Sequence, residues 1–541
     1  MRLKTVIPQG LAHWIEREAR TRSEADRLTK LSRYILSKYL IEKIPFEESI
    51  EISSTHFREQ VSTHYLRDLK KLLSAGMVTS DNSYYFFVSR SLRTSGDRLG
   101  KCKSYQFTPR AINNEPEIVE YNERAKKQFS NEYVVKESVK LLSKLRLSLR
   151  SSQLKLYVRE LITPEYIRER IKVGEEIPEG YYYTQWSKRP LPSERWQQIA
   201  QRNGQTFFVY KDKGHIGCLE SFISERMYQT RTRYLESLVR LKNIRKRINI
   251  TCSRNDTNNR LDTNLTNIKS ELLRLVRLDG ERLVSIDLSN SQFAILAHLI
   301  NQSFNYLTYL DDKHFKNLPN IKDKLEAENT LYPMFRLLLD KEVSISSYKH
   351  YKDIISLLNV THFFSDDEPN PLYLKAFRAF LNLTKTGIFY EELAHLMSES
   401  DNRQVTRSEA KKAMFLTAFS SHRYNPRPKQ LLKAHYPELV KWMNEFKKAS
   451  IRLYEEEGMS KEQARQKGNA SLSVMLQQIE SRVFIDNILT KLLRGGFRVF
   501  TKHDSILCKE SDKEAVEAVV RHELNKLFGN GGYQLKIEYN D

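Results

Sequence analysis

The stretch Arg282-Leu-Val-Ser-Ile-Asp287-Leu-Ser-Asn-Ser-Gln292-Phe-Ala-Ile-Leu-Ala-His-Leu-Ile300 decides how the chain is read. Leu283, Val284 and Ile286 form a short apolar run rich in β-branched residues, the pattern of a buried strand. Asp287 stands where that strand should end. Ser289, Asn290 and Ser291 are helix N-cap types, and Phe293 to Ile300 runs on as an apolar helix. A carboxylate at the end of a buried strand, facing a helix start, suits a hard cation.

The bulk numbers narrow the setting. A chain of 541 residues has room for two or three domains. Its 89 Lys and Arg against 67 Asp and Glu give a formal charge of +22, spread along the chain, which points to a nucleic-acid partner. Cys102, Cys218, Cys252 and Cys508 lie far apart, so neither a disulfide framework nor a zinc site is expected. No apolar run approaches the roughly 20 residues that span a bilayer. The N-terminus lacks a long apolar segment. A soluble, cytoplasmic protein is expected, with no membrane partner.

Three further segments join the first in order. Asn259-Arg260-Leu261-Asp-Thr-Asn-Leu265-Thr-Asn267-Ile268 precedes it. Arg407-Ser-Glu-Ala-Lys411-Lys-Ala-Met-Phe415-Leu-Thr-Ala-Phe419-Ser420 and Gly496-Phe-Arg-Val-Phe-Thr-Lys-His503-Asp504-Ser505 follow it. Together they resemble the family A polymerases, a superfamily of Pol I-type DNA polymerases and single-subunit phage and mitochondrial RNA polymerases. Asp287-Leu-Ser-Asn-Ser-Gln292 looks like motif A and the Arg407 segment like motif B on the fingers helix. His503-Asp504-Ser505 looks like motif C, in a form closest to the RNA polymerases. The resemblance spans roughly residues 250 to 541. It rests on motif order and spacing.

The resemblance implies template-directed nucleotidyl transfer releasing pyrophosphate. Asp287 and Asp504, brought together on neighbouring strands, would hold two Mg²⁺ (or Mn²⁺) ions about 3.5–4 Å apart. His503 would orient the primer-terminal phosphate. Steps of four keep Arg407, Lys411, Phe415 and Phe419 along one helical face. Arg407 and Lys411 would then hold the triphosphate, while Phe415 and Phe419 stack on bases. Arg260 would read minor-groove acceptors shared by every base pair. Gln478, in Gln478-Ile-Glu480-Ser481 opening a helix from Arg482 to Leu493, loosely occupies the slot of the family's palm glutamine.

Two positions bear on the sugar. Gln292 is a bulky side chain where RNA polymerases keep a small one, and Phe419 lacks the hydroxyl of the motif B tyrosine, so both favour dNTPs. A single-subunit RNA polymerase or primase is the rival enzyme, and a non-catalytic DNA-binding replication initiator with a degenerate palm the rival from another class. Ala294 and Ser420 depart from the motifs. The long gap between Asp287 and Arg407 implies a fingers insertion at about 300–425. No carboxylate set for a 3′–5′ exonuclease stands out, so proofreading is not expected.

The remaining chain supplies nucleic-acid contacts. Residues 1–115 read as helix, helix and a hairpin with a basic tip at Arg90 to Cys102, a winged-helix-like domain. In its second helix Leu66, Leu69, Leu72 and Leu73 share one side, and Gly76 is a stop signal. Residues 116–250 read as a mainly helical, thumb-like connector, whose helix from Ser221 to Ile248 carries Arg226, Arg231, Arg233, Arg240, Arg245 and Arg247. Beside a palm such a helix would track phosphates, with Arg245 and Arg247 nearest the primer-template. The expected whole is α+β, mainly helical: a right-hand polymerase with a palm sheet, helical fingers and thumb, and palm and fingers at 251–541. A DNA primer-template, or an RNA template, and nucleoside triphosphates are the expected partners. The architecture suits replication of a phage or mobile element.

Overall fold

Leu283, Val284 and Ile286 are fully buried in the strand Glu281–Leu288, and Ser291–Asp311 follows as a helix. In this computed structural model the chain is mainly helical with antiparallel sheets, an α+β protein. It describes all residues except 1, 43, 45, 47–48, 63–64, 81–84, 87–100, 114, 123–128, 171–172, 177–181, 185–186, 192–206, 211–215, 245–249, 312–370 and 540–541. Arg245 and Arg247, most of the basic 90–102 tip and the middle of the expected fingers insertion lie outside the described residues.

Two units emerge, Met1–Gln128 with Leu145–Ile250, and Phe129–Lys144 with Thr251–Asp541. The segment 116–250 is therefore not a unit by itself. Its strand Pro116–Asn122 pairs antiparallel with Arg2–Pro8, inside a stretch expected to be helical. The long helix ends at Asn243. On it Arg231 donates to the Ile162 carbonyl at 2.9 Å and to Glu115 at 3.2 Å, and Arg233 donates to the Leu40 carbonyl at 2.6 Å. These two guanidinium groups are spent holding their own unit together, which removes them as phosphate contacts.

Within the first unit the order is helix Arg22–Glu42, strand Ile50–Ser53, helices Ser54–Gln60 and Tyr65–Ser74, then strands Val78–Ser80 and Lys101–Phe107. Lys101–Phe107 lies between the other two strands, antiparallel to both. Ser53 caps its helix by accepting from the His56 N–H, and Gly76, at φ +65°, ends the next one. Leu69 and Leu72 enter the core with Leu28, Ile35, Tyr39, Phe57 and Phe107. Leu66 does not; it is 53% exposed. Asp68 takes an inward position instead, its carboxylate bound by Arg27 at 3.0 Å, as a buried charge requires.

In the second unit Glu281–Leu288 is a central strand. Ser505–Lys509 pairs with it on one side and Leu535–Tyr539 on another; Phe500–Lys502 extends the sheet, and Val276–Leu278 pairs as a hairpin. Helices Arg407–Phe419, Arg427–His435, Pro437–Glu456 and Lys461–Ser481 follow one another. The Lys461–Ser481 helix carries Gln478 at its end and runs into π-helical turns over Arg482–Leu489. Gln478 to Ser481 thus lie inside one helical run that continues to Arg494 instead of opening a helix. The Ser481 hydroxyl is used on the Asn258 carbonyl at 3.0 Å and caps nothing. Among the described residues no helix is long and apolar enough to cross a membrane.

Candidate active site

Register brings the two aspartates together. Asp287 faces Ser505 across the antiparallel pair, and the Leu288 N–H donates to the Asp504 carbonyl at 3.2 Å. Both turns beside them hold a left-handed residue: Asn290 at φ +55°, and His503 at φ +59° immediately before Asp504. Asparagine adopts that conformation at little cost, whereas histidine does so less readily; such residues gather at functional sites.

The two carboxylates lie within each other's electrostatic field. Burial, then the Asp504 and Glu538 carboxylates, push the Asp287 carboxyl up to about 8, against the pull of the Lys411 ammonium. Burial first, and the neighbouring Arg260 cation, hold the His503 imidazole below its usual range. Glu480, 1% exposed, accepts hydrogen bonds from the Arg260 guanidinium and the Ser291 hydroxyl. Burial and Asp504 push its carboxyl up to about 6 in spite of those donors. Asp287, Asp504 and Glu480 therefore form one acidic centre, with Lys411 and Arg260 as its cations.

The Arg407–Phe419 helix starts at a capping box, Thr406 and Glu409 exchanging backbone and side-chain hydrogen bonds. Its four predicted side chains form one row. Arg407 lies 5.4 Å from the Tyr390 ring centroid and pairs with Glu391 at 2.6 Å. Lys411 is 5.7 Å from the Tyr390 ring and 5.9 Å from that of Phe415, which meets Phe419 at 5.1 Å. Phe293, in the first turn of the helix that follows Asp287, packs on Phe415 at 6.0 Å and joins this helix to the sheet side of the site.

Tyr390 is the residue that sequence reading missed. Burial and the Asp504 carboxylate raise its phenol, so the hydroxyl sits within the field of the acidic centre. It belongs to no motif, and only folding of the helix Phe389–Asp401 brings it there. Glu538 was likewise unread: it lies opposite Ser285 on the edge strand. Gln478 donates to the Thr257 carbonyl at 2.8 Å, so its amide fixes the loop that carries Arg260.

Several buried polar atoms near the acidic centre have no partner: both side-chain atoms of Asn290, Oε1 of Gln292 and Nε of Arg260. An unpaired buried polar atom costs about 1–3 kcal/mol. That cost suits groups that await a ligand. Among the described residues, no set of three or more His, Cys, Asp or Glu side chains is arranged to hold a metal ion. His298, quoted with the first motif, is a core residue: it bonds the Gly532 carbonyl at 3.0 Å, and burial lowers its imidazole to about 4. Comparison of the sequence with protein-family models and with curated proteins finds no match to either.

Proposed function

We propose that the chain is a template-directed nucleotidyltransferase of the right-hand type, similar to the family A polymerases, with DNA as its favoured product. One observation carries the reading: Asp287, at the end of one strand, lies opposite Ser505, so Asp504, 217 residues on in sequence and in the turn just before Ser505, comes beside it within the field of Lys411. In this reading the sheet is the palm and the helices from Arg407 onward belong to the fingers.

The acidic pair fits Mg²⁺. Two carboxylates forced together in a half-buried site repel, and a dication relieves the repulsion. Two protein ligands suffice because Mg²⁺ retains water and substrate phosphate oxygens. When bound, the ion supplies Lewis-acid activation of the primer hydroxyl and neutralises the leaving pyrophosphate. The chain does the rest. Lys411 takes the triphosphate, joined by Arg407 once it leaves Glu391. Phe415 and Phe419 form a stacking surface for the incoming base. Tyr390 fixes the direction of both cations by lying under them. Gln292, with an unpaired carbonyl oxygen in a buried amide, borders the place of the sugar.

The first unit's helix–strand–helix–helix–strand–strand order supports a winged-helix reading, with Leu66, Arg67 and Lys70 as the exposed groove-facing side of Tyr65–Ser74. Such a module joined to a polymerase suits replication of a phage, plasmid or other mobile element.

The test is extension of a labelled primer on DNA and on RNA templates, with dNTPs or rNTPs and Mg²⁺ or Mn²⁺. Extension with dNTPs is expected. Extension with rNTPs alone would make the chain an RNA polymerase, and no incorporation under any combination would leave the initiator reading. If Gln292 crowds the 2′ position, Gln292→Gly lowers the dNTP-over-rNTP ratio of kcat/KM by about tenfold or more. An unchanged ratio removes Gln292 from sugar selection.

A further inference from the structure

Away from the acidic centre, two cavities of about 510 and 460 Å³ share His422 and Lys448 as common walls. The first is lined by Arg423, Arg452, Lys461 and Arg465, with Glu455 as its one acid. Lys429, Lys433 and Lys441 line the second, with Glu445. Glu445 is already taken by Lys448 at 2.7 Å. Arg423, Arg452, Lys461 and Arg465 have no carboxylate within 4.0 Å among the described residues. Like charges gathered round a cavity in excess of its acids repel, and a bound polyanion would relieve them.

The walls are built rather than incidental. Gly468 lets the helices Pro437–Glu456 and Lys461–Ser481 touch, since a Cβ there would lie 2.4 Å from the Ile451 side chain. Ser471 donates to Ser450 at 2.7 Å across the same contact. That closeness sets Arg465 and Lys461 against Arg452. His422 is fixed by Asn469, which accepts from its backbone N–H at 3.0 Å and meets its ring nitrogen at 3.1 Å. Buried Lys429 donates to the His422 and Tyr424 carbonyls at 3.0 Å, holding the loop that carries Arg423.

We propose that these adjoining cavities bind the phosphodiester backbone of a single nucleic-acid strand. Two cationic chambers in series fit an extended row of phosphates better than one compact anion. Their linings hold aliphatic residues (Ile451, Pro437, Val440) and no Phe, Tyr or Trp, so bases are not stacked and sequence is not read. The site is separate from the proposed chemistry and does not depend on it.

Fluorescence anisotropy of a labelled oligo-dT strand, without nucleotides, tests this on the full chain. Arg452→Ala/Arg465→Ala should weaken binding about tenfold and reduce the log–log salt slope by about 1.4, at roughly 0.7 per lost single-strand phosphate contact. Arg452→Lys/Arg465→Lys, which keeps the charge, should bind as the wild type does and guards against a folding artefact. Lys375→Ala/Arg378→Ala removes equal charge from the exposed side of the helix Pro371–Thr386 and should leave the slope unchanged. Equal loss in that control would reduce the effect to net charge and overturn the proposal. So would oligonucleotide binding unaltered in the Arg→Ala pair. If calorimetry then shows the same pair losing wild-type affinity for sodium tripolyphosphate, the site takes free polyphosphate instead.

Discussion

Asp287→Asn and Asp504→Asn are each expected to lower nucleotide incorporation by at least 10³-fold, about 4 kcal/mol of transition-state stabilisation. Neither should unfold the protein. Asp287 is raised to about 8 in the folded chain and ionises at 3.8 when unperturbed. Between those values the folded state binds more protons than the unfolded one, so its contribution to stability is complete below pH 3.8 and is lost as pH rises through 8. Asparagine removes that slope, which can reach about 1.4 kcal/mol per pH unit. Without divalent ion at pH 8, Asp287→Asn should therefore melt above the wild type, and the difference should vanish near pH 4. Millimolar Mg²⁺ should raise the wild-type Tm and leave the variant unmoved. Melting curves across pH, paired with primer extension, read both effects. Retained incorporation, or a pH slope shared by wild type and variant, would disprove the acidic-centre assignment.

Arg260→Ala should be the most destabilising single change at the site. It leaves Glu480, 2% exposed at its side chain, with the Ser291 hydroxyl and no cation. Breaking a buried pair from one side costs about 3–5 kcal/mol; Arg260 is itself 20% exposed, which favours the lower figure. The loss depends on pH with a defined sign. Glu480 is already raised to about 6, and removal of Arg260 raises it further. A raised carboxyl loses its stability contribution as pH rises through its folded pKa, so the deficit is full at pH 8 and shrinks toward pH 5 as the acid takes a proton. Arg260→Ala/Glu480→Gln should recover most of it, because no charge is then stranded. Urea unfolding at pH 5, 6.5 and 8 makes the comparison. A deficit constant across that range would show that Arg260 acts by packing alone.

The two variants also separate the roles of Arg260. The structure gives its guanidinium to Glu480 and leaves Nε buried without a partner, whereas the sequence suggested a direct reader of the primer end. If the ion pair only positions the loop, the double variant restores extension with stability. If Arg260 touches the duplex, stability returns and primer affinity does not.

Much of the candidate site's local structure was legible because near neighbours in sequence set it. A β-branched run ending in Asp287, a capped helix with Arg407, Lys411, Phe415 and Phe419 at steps of four, and a turn at His503 and Asp504 are each fixed by neighbours in sequence. The steps of four became one row because helical geometry alone dictates it. What depended on distant partners was misread. Pro116–Asn122 became a strand because Arg2–Pro8 lies beside it, and Leu66 yielded its place to Asp68 because Arg27 was there to neutralise a carboxylate.

The sequence by itself determined which residues carry charge along one strand end or one helical face, and in what order the elements bearing them follow, since periodicity and capping are properties of a few adjacent residues. Only the tertiary structure decided what those charges meet. It set Glu480 under Arg260, brought Tyr390 under Arg407 and Lys411, spent Arg231 and Arg233 on carbonyls of their own unit, and gathered cations round His422. Coulomb energy and desolvation depend on distance and burial, and a sequence specifies neither until the chain has folded.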